Sequence, residues 1–285
     1  MSIEYLSLRT AISKSGMKTA EAGDDFMVYE LSSSPVTDYP FKITEYGCFI
    51  CLDGESVGSF DLQPVRQTPF TMVINVPGQL LELQSMSRDF QGIGIVMSRE
   101  FVKSLGLPYN FHLDRMLRNV PVFYLQPSQL EAMLTYMRMV RNLLETDRPF
   151  QMETLRHLTC AFFYGIGSYL YQLSESKSYT NEELLMQRFL TEVKAHFRHQ
   201  RKVTFYADRL CLSVSYFSSV IKNVSGKAPG EWIDDYVISE ARALLKGTNL
   251  TVLQISQNLG FPSQSFFGKF FKRQVGLSPK EYRER

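Results

Sequence analysis

Two sets of side chains in this 285-residue sequence could do chemistry: a few metal-ligating or nucleophilic groups, and a larger number of cations. Cys48 and Cys51 form a CxxC. On an extended strand, residues three apart point to opposite faces, so the pair reads as core cysteines and not as ligands of one ion. His196 and His199 sit one helical turn apart beside Arg198, Arg201 and Lys202. That charged setting reads as a solvated or phosphate-facing surface, not a metal site. Nothing reads as a nucleophile elbow or a phosphate-cradling loop. No catalytic residue, metal or cofactor is assigned.

The cations are more telling. Residues 1–180 hold 15 Lys and Arg against 19 Asp and Glu, a net −4, whereas residues 181–285 hold 16 against 10, a net +6. Such polarisation points to an anionic partner for one part of the chain. Its densest expression is GFPSQSFFGKFFKRQVGLSPKEYR, from Gly260 to Arg283. Here Lys269, Lys272 and Arg273 alternate with four phenylalanines at i, i+1, i+4 and i+5: Phe266, Phe267, Phe270 and Phe271. That spacing makes one apolar stripe on a helix. It predicts an aromatic core face, with Ser265, Gly268, Lys269 and Lys272 on the opposite face toward an anion.

The elements that position these residues fall into two groups. Up to about residue 100 the chain reads as short strands, at residues 26–29, 42–46, 48–52, 70–76, 80–83 and 92–97. Asp53-Gly54 carries a hairpin signal and Pro77-Gly78 a turn. Such a series suggests a sandwich or small barrel. Two long helices follow. The first starts at Ser128 as N-cap after Pro127, the Asp147-Arg-Pro149 segment ends it, and the second covers residues 151–173. Both are apolar enough to need cover, from the strands or from a second subunit. Residues 174–181 are polar and read as a linker, and from Glu182 the chain reads as helical. Four cysteines are too few for a disulfide framework. No run is long enough to span a membrane, and MSIEYLSLRT has no signal core, so the expected location is cytoplasmic.

The helical part repeats itself. A shift of fifty residues lays Ser215-Tyr-Phe over Ser265-Phe-Phe, Val220-Ile-Lys over Phe270-Phe-Lys, Gly226 and Pro229 over Gly276 and Pro279, and Trp232 over Tyr282. Upstream the shift is forty-nine, with Leu210 over Leu259 and Leu212 over Phe261. The extra residue of the second copy falls between Phe261 and Ser265, where a turn tolerates it. Each copy reads as helix, tight turn, helix. In the first, residues 203–211 are followed by a turn at 212–214 and a helix at 215–222. In the second, residues 250–259 are followed by Gly260, suited to a left-handed helix stop, and by a helix starting at Pro262-Ser263. Small residues, Ala207 and Ser256, let the paired helices cross closely. This is the helix-turn-helix unit, which presents its second helix to a DNA major groove. Between the copies, residues 229–246 predict a helix of about 27 Å, which lets two such helices reach adjacent grooves.

These residues carry a resemblance. From about Asn181 to Arg285 the chain resembles the DNA-binding domain of AraC/XylS-type transcriptional regulators. The resemblance rests on Ala207, Leu210, Ser213-Val-Ser-Tyr-Phe and Gly226-Lys-Ala-Pro229; on Ala241-Arg242-Ala-Leu-Leu245; and on Ile255, Leu259-Gly260-Phe261, Ser265-Phe-Phe, Phe270-Phe-Lys272, Gly276-Leu-Ser-Pro279 and Tyr282-Arg283. Val237 stands where the family usually has Arg, and Ser256 where it usually has Ala. The resemblance implies an α+β protein of two domains. Residues 1–175 would form a cupin-like β-barrel with two long helices for effector binding and dimerisation, 176–181 a linker, and 182–285 an all-α domain of two helix-turn-helix units joined by a linker helix. Carried over by position, Ser215, Ser218, Ser219, Ser265, Gly268 and Lys269 face bases, and Lys222, Ser263, Gln264 and Lys272 hold phosphate or backbone. The first unit has no Arg, Asn or Gln on its base-facing side. The second, through Lys269 and Gln264, is therefore expected to contribute more direct readout, while the first relies on water, methyl contacts or DNA shape.

The expected function is sequence-specific, DNA-binding transcriptional regulation, without enzymatic activity and without a membrane partner. Expected partners are double-stranded promoter DNA, a small-molecule effector, RNA polymerase if the protein activates, and a second copy bound through the N-terminal helices. Two alternatives stand beside it. One is a ligand-independent regulator that uses the N-terminal domain only to dimerise. The other is a cupin-type enzyme or sugar-binding protein with an accessory DNA module. Cupin enzymes usually carry metal-binding histidines on their strands, and the first histidine here is His112, beyond them. The sequence names no effector-binding residue.

Overall fold

The computed structural model describes residues 7–14, 17–31, 39–107, 122–146, 149–176 and 180–285. His112 and the Asp147-Arg148 pair lie outside these residues. Most of the chain falls into two units, one of strands and helices that holds residues 42–176 and the strands before them, and one that holds residues 180–285 and takes in the short segment Tyr39–Phe41, so the fold is α+β with a β-rich N-terminal part and a helical C-terminal part.

In the first unit, α1 (Leu8–Lys14) precedes β1 (Thr19–Ala22), β2 (Phe26–Leu31), β3 (Phe41–Lys42), β4 (Tyr46–Asp53), β5 (Ser56–Phe60), β6 (Gln63–Gln67), β7 (Thr71–Asn75), β8 (Leu80–Met86) and β9 (Gln91–Met97). Then come α2 (Arg99–Ser104), β10 (Val122–Tyr124), α3 (Pro127–Leu144) and α4 (Gln151–Ser176). The strands form two sheets, ordered β1-β2-β9-β4-β7-β10 and β3-β8-β5-β6.

Asp53-Gly54 is not a hairpin turn. It hands the chain from β4 in the larger sheet to β5 in the smaller one. Gly54 has φ +69°, and a Cβ there would lie 2.6 Å from the Phe90 backbone, so packing against a neighbouring turn decides the direction of the chain. The hairpin proper joins β5 and β6 through Asp61 and Leu62, both at positive φ. Residues 42–46 also differ from expectation: β3 stops at Lys42 and a new strand starts at Tyr46.

Alternation along the strands explains how the larger sheet is buried on both faces. Phe26, Val28, Cys48, Ile50, Met72, Ile74, Ile93 and Ile95 form one cluster with Met137 and Val140 of α3 and with Leu155, Phe162, Phe163 and Ile166 of α4. Helices thus cover this face. On the other face, Met27, Tyr29, Phe49, Cys51 and Val73 are buried as well; the smaller sheet is the remaining layer that can cover them. Cys48 and Cys51 therefore lie on opposite faces of β4. On the second face Tyr29 stacks on Phe49 (ring centroids 6.2 Å apart) and Phe49 on Phe90 (5.6 Å). Gly92 and Gly94 make this possible, because a Cβ at either would fall 2.2 Å from the Phe49 ring or 2.4 Å from the Tyr29 ring.

Helix α3 begins two residues earlier than expected. Gln126 is its N-cap, Pro127 takes the first helical position, and Gln129 Oε1 accepts from the Gln126 N–H at 2.8 Å. Helix α4 runs to Ser176. Among the described residues no helix is long and apolar enough to cross a membrane.

The second unit is wholly helical: α5 (Asn181–His196), α6 (Val203–Arg209), α7 (Val214–Ser225), α8 (Pro229–Gly247), α9 (Val252–Asn258), α10 (Gln264–Val275) and α11 (Pro279–Glu284). Helix α5 starts in a capping box, where Thr180 Oγ1 accepts from Glu183 N and Glu183 Oε2 accepts from Thr180 N. Helix α8, of 19 residues, is about 28 Å long.

Candidate nucleic-acid interface

Helices α6–α7 and α9–α10 form two copies of one unit with matching caps. Ser213 Oγ accepts from Tyr216 N, and Ser263 Oγ accepts from Phe266 N, each at 3.3 Å. Helix α7 ends on Gly226 at φ +74° and α10 on Gly276 at φ +84°, the left-handed stop that glycine takes at least cost. In the turns, Leu212 N donates to Ala207 O and Phe261 N to Ser256 O. Ala207 and Ser256 are fully buried at the helix crossings. Ser256 satisfies its hydroxyl by donating to Leu253 O at 2.8 Å, so it can take an alanine's place. Pro262 does not start a helix. It precedes the N-cap Ser263, and α10 begins at Gln264.

One asymmetry separates the turns. Gly260 sits at φ +67°, and its counterpart Cys211 sits at φ +57°. A non-glycine residue there costs about 1–2 kcal/mol. Replacing Cys211 with Gly should therefore stabilise the unit by about 0.5–1 kcal/mol once the added freedom of the unfolded chain is deducted. Urea unfolding followed by fluorescence of Trp232, the single tryptophan, would show a raised midpoint. An unchanged or lowered midpoint would mean the turn is not strained.

Each second helix is held from below by aromatic rings. Phe217 of α7 packs edge-on against Phe189 of α5, which also meets Tyr206. Phe267 and Phe271 of α10 are fully buried, Phe271 against Tyr282. The four-phenylalanine stripe is therefore only partly a core face. Phe270 is half-buried, and Phe266 is 63% exposed. A residue adjacent in sequence lies 100° round a helix from its neighbour, which turns Phe266 away from the core that Phe267 enters.

Of the expected base-facing residues, Ser215, Ser219, Ser265 and Lys269 are exposed, whereas Ser218 and Gly268 are half-buried on the helix flank. The expected phosphate-holding residues Lys222, Ser263, Gln264 and Lys272 are all exposed, although Ser263 already uses its oxygen as a cap. Lys222 and Lys269 form no ion pair with a described residue. Sequence reasoning missed Tyr216 and Phe266 in the first turn, and Asn223 and Arg273 one helical repeat beyond Ser219 and Lys269; all four are exposed on the same faces. The fifty-residue repeat was the signal for them, since it aligns each pair.

What fixes the second copy is the segment after α5. Arg198 pairs with Glu240 of α8, whose side chain is 0% exposed. Arg201 donates through Nη2 to Leu259 O at 2.6 Å and lies over the rings of Phe261 (4.5 Å) and Phe270 (5.8 Å). Burial pulls the Arg201 guanidinium below its ordinary pKa, against the opposing pull of Asp234. These arginines are internal ties and not the phosphate-facing surface expected of them. His196 Nε2 faces Glu192 at 3.5 Å, and Glu192 also pairs with Arg209. Val237 is fully buried in α8.

A duplicated unit whose second helices are capped, pinned and left open on one polar, cationic face defines the tandem helix-turn-helix class. The match to a family model supports this: residues 206–285 fit a helix-turn-helix domain. The transcriptional regulator AlkR of Acinetobacter baylyi is 28% identical over 146 residues, 50% of this chain and 48% of that protein. The arabinose operon regulatory protein of Escherichia coli is 35% identical over 77 residues, 27% of this chain and 26% of that protein. The matched stretch spans less than half the length of either relative. Among solved structures, fatty-acid-bound ToxT of Vibrio cholerae is 20% identical, with a TM-score of 0.43 over 92% of this chain and 96% of that one. The C-terminal region of the chain is thus similar to the helix-turn-helix domains of these transcriptional regulators.

Proposed function

We propose that the chain is a sequence-specific transcriptional regulator. Residues 182–285 grip promoter DNA, residues 1–175 dimerise and sense a small-molecule effector, and residues 176–181 link them. The observation that carries this reading is the repetition: two units fifty residues apart, each with its second helix uncovered on one face. In this reading Ser215, Ser218, Ser219, Ser265, Gly268 and Lys269 meet bases. Lys222, Ser263, Gln264 and Lys272 meet phosphates, helped by the partial positive charge of each helix N-terminus. Asn223 and Arg273 join the phosphate set, since the first turn of a recognition helix is the part that reaches base edges. Lys269 and Gln264 give the second copy the larger share of direct readout.

Binding of the full chain to a duplex enriched from a random library tests the proposal. Affinity should fall linearly in log–log form with salt, and Lys222→Ala or Lys272→Ala should each lower that slope by about 1. A slope that neither substitution changes would remove these lysines from the interface.

Dimerisation is supported by the exposed apolar side chains Met139, Phe150 and Tyr164 on and beside α3 and α4, and RNA polymerase is the further partner if the protein activates. A DNA partner puts the protein in the cytoplasm. A second reading, in which the N-terminal unit dimerises without a ligand, draws support from the rings of Tyr29, Phe49 and Phe90 packed over Gly92 and Gly94. Thermal-shift screening separates the two, because an effector raises the melting temperature by mass action.

A further inference from the structure

Tyr216 and Phe266 are large aromatic side chains left 56% and 63% exposed at the same place in both copies. Each stands three residues after the N-cap serine and gives that serine its backbone N–H. The cap therefore fixes where the ring projects, in the first turn of the groove-facing helix. The neighbours on that face are short at Ser215 and Ser219, so the Tyr216 ring stands proud of its surroundings, and in the second copy Phe266 stands beside short Ser265 with Lys269 one turn further on. Neither ring stacks on another ring or on a cation among the described residues. Leaving the exposed part of such a ring in water forgoes about 1–2 kcal/mol of burial, which a partner can supply.

The repetition chooses the partner. A protein docking on this unit would use one copy, whereas DNA meets both. The apolar feature of a major groove is the 5-methyl group of thymine, which cytosine and the purines lack there. We propose that Tyr216 and Phe266 are specificity-determining residues that each read one thymine, one in each groove, by packing the ring on its 5-methyl group. This rests on the DNA-binding reading above. It also supplies base discrimination to the first copy, whose serines offer little.

The test uses the full chain and the best duplex enriched from a random library. Each thymine is replaced singly by deoxyuridine, which removes the methyl group and nothing else. Wild-type protein should lose about fourfold in affinity at one position in each box, the factor expected for one buried methyl group. Phe266→Ala should bind the parent duplex about tenfold more weakly, since it loses the buried ring face as well, and should become indifferent to deoxyuridine in its own box. Tyr216→Ala should do the same in the other box. Both sites are exposed, and an unchanged melting temperature would confirm intact folding. If the deoxyuridine penalties persist undiminished in both variants, or if no thymine is sensitive in the wild type, this inference fails and the DNA-binding reading stands. If the library yields no enriched duplex, both fail.

Discussion

Replacing Arg198 with Met should lower the stability of the C-terminal unit by about 3 kcal/mol, at the lower end of the range for breaking a buried ion pair. Glu240 is fully buried in the middle of α8, and Arg198, itself 35% exposed, brings a guanidinium to it. Removing the cation takes a charged partner from a carboxylate in a low-dielectric setting, and the penalty is mostly the cost of keeping that carboxylate buried without it. Arg198→Met combined with Glu240→Leu should recover much of the loss, because a well-packed apolar pair often matches a buried ion pair. Urea unfolding read by Trp232 measures both. If the single variant costs less than about 1 kcal/mol, the pair is no more than a surface contact.

The second large effect is expected at Gly260. Gly260→Ala places a Cβ at φ +67°, 2.3 Å from Arg198 O and 3.2 Å from His199 Nδ1. The backbone conformation alone costs about 1–2 kcal/mol. The clash is with backbone, so the turn or the Arg198–His199 segment must shift, and a total of about 3 kcal/mol is expected. Cys211 shows that the conformation by itself is survivable, since the first copy carries a side chain at the equivalent place. The consequence should reach function. The same segment carries Arg201, which holds Leu259 and the rings of Phe261 and Phe270, so moving it displaces α10. DNA contacts of the second copy should weaken before those of the first. Gly268→Ala is the control for the stability effect alone: nothing lies within 4 Å of a Cβ built there, and a helix-interior alanine should gain about 0.5–1 kcal/mol.

The C-terminal unit was readable from sequence because its signals are local. Helix periods, cap serines, stop glycines and a fifty-residue repeat all lie within a few turns of the residues they position. Phe266 escaped because a stripe of apolar residues does not say where its edge lies; that depends on how far neighbouring helices reach. Arg198 and Arg201 escaped because their partners, Glu240 and Leu259, are 42 and 58 residues away, and a charged residue looks the same in sequence whether it meets water or a buried carboxylate. The N-terminal strands were legible where β-branched and aromatic residues mark them, as in β2, β7 and β9. Residues 56–67, with Gly58, two serines, Pro64 and Arg66, gave no such mark, yet they form β5 and β6. Asp53-Gly54 marked a turn correctly and its destination wrongly, since which sheet a strand joins is settled by packing between distant segments.

In this reading the two pinned helices meet DNA together. Hydroxyl-radical footprinting of the full chain on its enriched duplex tests it most directly. Two protected patches should appear on one face, about one helical turn or 34 Å apart, with Lys269→Ala clearing one patch more completely than Lys222→Ala clears the other. A single patch, or protection erased by Lys222→Ala and untouched by Lys269→Ala, would contradict it.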